Sequence, residues 1–395
     1  MISKNREIIF LAVTPILQSA IGRYSIDELY DMGYTIRMVD MTRAIDPEVA
    51  ERINAKPLSD ERFPLDVLST YSEVDAYIAE HKSAYFFMLF DYYYEVRKIY
   101  DILTKYDVDY GNVSTALTDS GFRPEMYGGG LKSFDFTRLT PEKWMRIYFN
   151  RFVRTHSPHK PANFMLIGGW NNCDQIWKNC NCKEGVTKQI YIRSFDYERF
   201  LHTDAYDNGG KPYAVFIDQF MPYHPDFKDY KKWHIHIPEK EYFEQVHEIF
   251  DVIRNVYGLE IIIAAHPRGS YEPYGDVWKG CKVLYGKSAE LAKNASLVMT
   301  HFSNAITFAA MADKPAMLLN IPLWDQNDHF TNSCRLWGEM LGAPVVRYAK
   351  DMHETFDYKV DEAKYNEFRH NFTQSRDAAD TRSFWEIAMS EIDAN

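Results

Sequence analysis

Hydrophobic residues recur along this chain in two rhythms: short unbroken apolar runs, and longer stretches with apolar positions three or four apart. The runs 7–13 (EIIFLAV), 34–39 (YTIRMV), 84–90 (AYFFMLF), 163–169 (NFMLIGG), 213–218 (YAVFID), 259–265, 297–300 and 315–320 read as strands, with a short candidate at 108–113. Runs that are apolar throughout fit strands buried on both faces, as in a parallel sheet covered by helices. Between them the spacing predicts helices over 16–32, 92–105, 140–154, 239–257, 288–294, 304–312 and 361–392. Gly33 is placed to stop the first of these, and Thr140-Pro141-Glu142 to start the third. The segment QIYIRSFDYERFL (189–201) reads as a strand and a short helix.

Strands alternating with helices in both halves predict an α/β protein of two Rossmann-like domains with parallel sheets. The polar, Gly-containing stretch 202–212 marks the boundary. The expected division is 1–205, 206–375 and a C-terminal helix at 376–395, with the C-terminal helices crossing back to the first domain. Two such domains are expected to face one another across a cleft, the default place for an active site. A length of 395 residues and a hydrophobic content of 46% suffice for two cores.

Charge and cysteine usage narrow the function. A net charge of −11 argues against nucleic acid as the main ligand, while leaving room for a local basic pocket around an anionic nucleotide. No apolar run approaches the roughly 20 residues needed to span a bilayer. The opening MISKNREIIFLAV runs into Thr-Pro without a small-residue cleavage site, so it reads as a first strand and not a signal peptide. The five cysteines are Cys173, Cys180, Cys182, Cys281 and Cys334, an odd number that suits a reduced, cytoplasmic protein. Cys173, Cys180 and Cys182 cluster, but with no standard zinc spacing; free thiols and no bound metal are expected.

Candidate chemistry collects in the loops that follow strands, where open parallel sheets bind ligands. His266-Pro267-Arg268 ends the run 259–265, and His266 and Arg268 are suited to phosphate oxygens and to charge on a leaving group. His301-Phe302-Ser303-Asn304 follows 297–300. A helix starting there would aim free N–H groups at an anion, with His301, Ser303, Asn304 and Thr307 around its start. Ordinary capping by Ser303 or Asn304 would use the same N–H groups. Asp218 ends its strand and leads into His224 and Asp226, in a loop stiffened by Pro222 and Pro225 that reads equally well as a rigid turn.

Thr14, Pro15 and Gln18 follow the first strand and are expected to line the cleft. Asp325, Asn327 and Asp328 lie in a long polar loop after the last strong strand, placed for ligand contact. A carboxylate at a strand end is a candidate general base. The strand-end carboxylates Asp40, Asp91 and Asp119 are the candidates, with Asp119 ahead of Asp91. Asp107-Val108-Asp109 has an Asp-x-Asp form but precedes its strand, so it is set aside as a metal site.

The segments SFDYERFL (194–201), YAVFIDQFMPYHPDF (213–227), IIIAAHPRGSYE (261–272) and THFSNAITFAAMADKPAMLLN (300–320) resemble GT-B glycosyltransferases of bacterial surface-polysaccharide synthesis. The His-Pro and the Ser-containing turn are similar also to bacterial sialyltransferases, where such groups hold the donor phosphate. This chain has Ser303-Asn304 where those enzymes often have Ser-Thr or Ser-Ser. The resemblance covers about 190–320 and implies a metal-independent, inverting transferase without a cofactor. It would move a sugar from a nucleotide-sugar to a glycan or lipid-linked acceptor, in the cytoplasm, with peripheral contact at the inner face of the membrane. The alternatives are a CDP-alcohol transferase like the teichoic-acid polymerases, a nucleotide-sugar epimerase, and a non-catalytic nucleotide- or glycan-binding protein on the same fold.

Overall fold

The computed structural model describes residues 6–52, 57–114, 140–153, 156–169, 180–224, 237–267, 269–326, 328–350, 352, 355–373 and 381–394. They fall into two compact units. One holds the described residues of 6–114, 140–199 and 370–394; the other holds those of 200–369.

The first unit is a seven-stranded parallel sheet. Its strands are β1 (Ile8–Ala12), β2 (Ile36–Asp40), β3 (Leu65–Val67), β4 (Tyr85–Met88), β5 (Asp109–Ser114), β6 (Phe164–Gly168) and β7 (Lys188–Ile192), in the order β3-β2-β1-β4-β5-β6-β7. The second is a six-stranded parallel sheet of β8 (Tyr213–Ile217), β9 (Glu260–Ala265), β10 (Lys282–Tyr285), β11 (Leu297–Thr300), β12 (Ala316–Asn320) and β13 (Val345–Arg347). Its order is β10-β9-β8-β11-β12-β13. Each is a doubly wound α/β sheet, as the alternation of patterns predicts.

Every residue of β1, β4, β6, β8, β11 and β12 is buried, which is why these strands show as continuous apolar runs. Strands β3, β10 and β13 lie at sheet edges, are three or four residues long and are part-exposed. Their apolar signal is correspondingly weak. Gly111 in β5 has no room for a side chain: a Cβ there would lie 2.2 Å from the Phe164 ring on β6.

Two predicted helices are divided differently, and one helix was not expected. The stretch 16–32 breaks into Ala20–Arg23 and Ile26–Asp31, with Ser25 between them at φ 48°. The stretch 361–392 is two helices, Glu362–Phe372 and Phe384–Ile392. The polar loop that holds Asp325 gives way at Asp328 to a 14-residue helix, Asp328–Leu341, for which the sequence offered no reading. In the second unit, α1 (Glu239–Tyr257) buries Tyr242, Val246, Ile249, Phe250 and Ile253. It ends at Gly258, whose φ of 65° allows its N–H to close on the Arg254 carbonyl. The C-terminal helix, α2 (Phe384–Ile392), belongs to the first unit. Phe384, Trp385, Ile387, Ala388, Met389 and Ile392 join the core beneath β1, β4, β6 and β7.

Candidate functional site

The two halves of the second sheet wind in opposite directions from β8: β9 and β10 lie on one side, β11 to β13 on the other. All strands are parallel, so their carboxyl ends share one edge, and the switch point falls between β8 and β11. That is where an open α/β sheet leaves a crevice. The register pairs Ile217 with Ala264, and Met299 with Phe216. Asp218, His266 and His301 therefore emerge at neighbouring positions on this edge.

Asp218 is buried at 2% exposure. Its N–H donates to the Ala264 carbonyl, and its Oδ2 accepts from the Phe220 N–H at 2.8 Å and from the Tyr271 hydroxyl. Its Oδ1 is buried without a protein partner. Burial pushes the carboxyl up to about 7, against the lowering effect of the Tyr271 hydroxyl. The bond to Phe220 pins a turn in which Phe220 takes φ 59°, a left-handed conformation that costs a bulky residue free energy. The Phe220 ring is held from the next loop, edge-on to Tyr271 at 5.1 Å. Gly269 completes the fit, since a Cβ there would sit 2.9 Å from that ring.

These interlocked loops bring two histidines together. His224, after β8, is 9% exposed, and His266, after β9, is half-buried. Their ring centroids are 5.0 Å apart with the planes at 70°. The Gly269 N–H closes the turn onto the His266 carbonyl at 2.8 Å. Beyond them, Tyr223 stacks on Tyr274 at 3.6 Å. Arg268 and Asp226 lie outside the described residues.

On the other side of β8, the Thr300 hydroxyl donates to the Ile217 carbonyl at 2.7 Å, and the Gln219 side chain accepts from the Phe302 N–H at 2.9 Å. The β8 loop and the β11 turn are thereby one hydrogen-bonded structure. Ser303 is half-buried and caps the short helical turn Asn304–Ile306 by accepting from the Ala305 N–H. Asn304 is exposed at this edge. Thr307 is 2% exposed and its hydroxyl has no protein partner. The helix that follows, Thr307–Met311, has only five residues, so its dipole contributes little.

His301 faces inward. It is fully buried among Phe216, Tyr242 and Trp324. Its Nδ1 meets the Leu319 carbonyl at 2.6 Å and its Nε2 meets the Tyr242 hydroxyl at 3.2 Å. Burial lowers its pKa to about 4, so the ring is neutral near pH 7. It braces the site from behind. Asp325, after β12, is held by both Arg347 nitrogens at 3.0 and 2.5 Å, which keeps its carboxyl below the usual range. Asn327 lies outside the described residues.

The first sheet has its own switch point, between β1 and β4. Thr14 follows β1 and is exposed. Gln18 is exposed and accepts from the Ser59 N–H at 3.0 Å. Asp91, beyond β4, is exposed, with the Cys180 thiol 3.8 Å from its Oδ1. Asp40 instead caps the turn that follows β2, accepting from the Thr42 N–H and hydroxyl. Asp107 and Asp109 both pair with Lys160. Asp119 and Cys173 lie outside the described residues.

Among the described residues no group of three or more His, Cys, Asp or Glu is placed to hold a metal. Cys180 and Cys334 are buried free thiols. Among the described residues no helix is long and apolar enough to cross a membrane. Tyr271 and Gln219, which shape the β8 loop, are absent from the candidates the sequence offered. Gln219 stands beside Asp218 behind β8 and was passed over, while Tyr271 lies six residues beyond β9 and belongs to no strand-end pattern.

Solved structures resemble this arrangement. The calicheamicin glycosyltransferase CalG4 superposes with a TM-score of 0.55, over 99% of this chain and 98% of that one, at 8% identity. This chain has the GT-B fold. A UDP-N-acetylglucosamine 2-epimerase (TM-score 0.48, 12% identity, 100% and 98% covered) and MurG of Acinetobacter baumannii (0.41, 9%, 87% and 86%) are more distant matches. No protein-family model and no curated protein matches the sequence. At such identities the GT-B likeness establishes the fold alone.

Proposed function

We propose that the protein is a glycosyltransferase whose second unit binds the phosphates of a nucleotide-sugar donor at the carboxyl edge of its sheet. One observation carries this reading: His266 and His224 at the ends of β9 and β8, with the Ser303-Asn304 turn at the end of β11, place polar and cation-capable groups on three adjacent strands at the switch point. Imidazole N–H groups and hydroxyls aimed at the leaving phosphate stabilise the charge that develops as the glycosidic bond breaks. Asp218 and Thr307, each with a buried unpartnered oxygen here, offer contacts to donor hydroxyls. Arg268 would add bidentate contact from the same loop as His266. His301 serves this site by bracing β11 against β12.

The acceptor hydroxyl must lose a proton during transfer. Asp91 and Asp119 are the proposed bases, with Thr14 and Gln18 proposed for acceptor binding and Asp325 for donor or acceptor contact. No bound metal or cofactor is invoked. The acceptor is proposed to be a glycan or lipid-linked sugar of surface polysaccharide synthesis, handled in the cytoplasm or at the inner membrane face.

A nucleotide-sugar epimerase is the second reading, because Asp218 shares its sheet edge with two imidazoles and such chemistry needs carboxyl and imidazole groups together. One experiment separates the two. The protein is incubated with each common nucleotide-sugar, with and without a mixed glycan acceptor, and released nucleotide and sugar isomers are followed by chromatography. Acceptor-dependent nucleotide release that falls at least about tenfold in His266→Ala and Ser303→Ala supports transfer. Isomerisation without acceptor supports the epimerase, and neither product from any donor refutes both.

A further inference from the structure

A second cavity opens at the amino edge of the second sheet, opposite the carboxyl edge where Asp218 and His266 emerge. It lies where β9 and β10 begin and α1 ends, and its volume is about 610 Å3. That is the size of a small-molecule pocket and far more than one ion fills. The six residues of β9 set it roughly 20 Å from His266.

One side of the cavity is cationic. Arg254 comes from α1, and Lys279 and Lys282 from the turn and first residue of β10. The carboxylates around them are already engaged. Asp251 accepts from Arg254 at 2.8 Å, Asp276 from the Gly280 N–H at 2.9 Å, and Glu260 from Asn208 at 3.0 Å and Lys211 at 3.2 Å. Lys279 and Lys282 have no carboxylate partner among the described residues; Lys282 donates to the Tyr206 hydroxyl. The half-buried Cys281 thiol lies 2.9 Å from Nη2 of Arg254. Burial pushes its pKa up, so it stays neutral beside the guanidinium. A chain of net charge −11 thus keeps unmatched positive charge in one recess.

The turn that presents Lys279 is held under strain. Lys279 takes φ 48°, a left-handed conformation unfavourable to a long side chain. Its N–H donates to the Asp276 carbonyl, the Cys281 N–H donates to the Trp278 carbonyl, and Trp278 anchors the turn at 2% exposure in the core. The start of β9 brings groups of another kind. The Asn208 side-chain oxygen and the Glu260 carboxylate are acceptors, and Asn208 and Lys211 hold that carboxyl below its usual range, so it is ionised. The last carbonyls of α1 border the same space, and a helix end leaves such groups without intrahelical partners.

We propose that this cavity is a second ligand site, for a sugar phosphate. The phosphoryl dianion sits among Arg254, Lys279 and Lys282, which suit two negative charges better than a lone carboxylate would. The sugar hydroxyls donate to Glu260, Asn208 and the end of α1. The site does not depend on the donor-site reading above.

Cys281 supplies the test, since a ligand in the cavity covers its thiol. The intact protein is alkylated with iodoacetamide, and modification of each cysteine is followed by peptide mass spectrometry. The probes are glucose 1-phosphate, glucose 6-phosphate, glucosamine 6-phosphate and ribose 5-phosphate, with glucose and inorganic phosphate as controls. At least one sugar phosphate should slow alkylation of Cys281 about fivefold or more at saturation and leave Cys182, in the first unit, unchanged. Glucose should not protect, and inorganic phosphate should protect only at higher concentration. In Lys279→Gly and in Lys282→Gln the concentration needed for half-protection should rise at least about tenfold. Glycine adopts the left-handed backbone without strain, so Lys279→Gly should unfold at no lower temperature than the parent, which separates lost binding from lost folding.

Cys281 alkylated equally fast with and without every sugar phosphate overturns the site. Undiminished protection in both lysine variants overturns the role of the cations. Protection by inorganic phosphate at the same concentration as by every sugar phosphate overturns the sugar-phosphate assignment.

Discussion

Asp218 and His301 end neighbouring strands and are both buried, yet their titrations move stability in opposite directions. Burial raises the Asp218 carboxyl from its ordinary value near 4 to about 7. The folded state therefore binds its proton more tightly than the unfolded state does. Its contribution is complete below pH 4 and is lost as pH rises towards 7, up to about 4 kcal/mol. Burial lowers His301 to about 4, so its contribution is complete above pH 6.5 and is lost as pH falls towards 4, up to about 3 kcal/mol. Over pH 4–7 the two trends largely cancel in the parent. Urea unfolding across that range should show stability falling with acid in Asp218→Asn, where only the histidine limb remains. It should fall with alkali in His301→Gln. Parallel curves for all three proteins would show that neither group is perturbed as described. Both residues were legible as strand-end polar groups. That one keeps a buried oxygen without a protein partner while the other is enclosed by Tyr242, Trp324 and Phe216 depends on residues distant in sequence.

Helix α2 shows how much an element's local signals can carry. Ser383-Phe384-Trp385-Glu386 has the spacing of a capping box, and the structure forms it: the Ser383 hydroxyl accepts from the Glu386 N–H, and the Glu386 carboxylate from the Ser383 N–H. The uniform helix expected over 361–392 ignored that start signal. Trp385 is fully buried, edge-on to Phe10 and Phe87, and its indole N–H donates to the Tyr24 carbonyl at 2.8 Å. Removing the cap with Ser383→Ala should cost about 1 kcal/mol. Trp385→Ala, which opens a cavity and strands the Tyr24 carbonyl, should cost about 3–5 kcal/mol. Chemical denaturation of the two variants checks the ordering, and equal small losses would mean that the helix is not integral to the core. By contrast, β3, β10 and β13 escaped the sequence because edge strands of three or four part-exposed residues carry no apolar run.

The whole molecule depends on a chain that leaves its first unit after residue 199 and re-enters it at 370. The last helix thus completes a core whose strands were laid down before the second unit began. Deleting residues 381–395 should therefore strip protection from β1, β4, β6 and β7 in hydrogen-exchange mass spectrometry, while β8, β9, β11 and β12 keep theirs. Loss of protection spread evenly over both sheets would contradict the division into two cores. The same experiment made at the other end of the second unit, with a bound nucleotide, should protect the loops after β8, β9 and β11 and leave the first sheet's pattern unchanged.

Hydrophobic patterning alone determined the alternating strands and helices, and with them the parallel α/β class, because a strand buried on both faces must be apolar throughout. It also put His266, Asp218 and the Ser303-Asn304 turn directly behind strands, since each follows an apolar run. Strand order, the switch points and the company each side chain keeps belong to the tertiary structure. The 5.0 Å meeting of His224 with His266, the bond from Tyr271 to Asp218 and the enclosure of His301 join residues 18 to 85 positions apart. Pattern periodicity reports which face of an element is buried; it holds no information on which distant element does the burying.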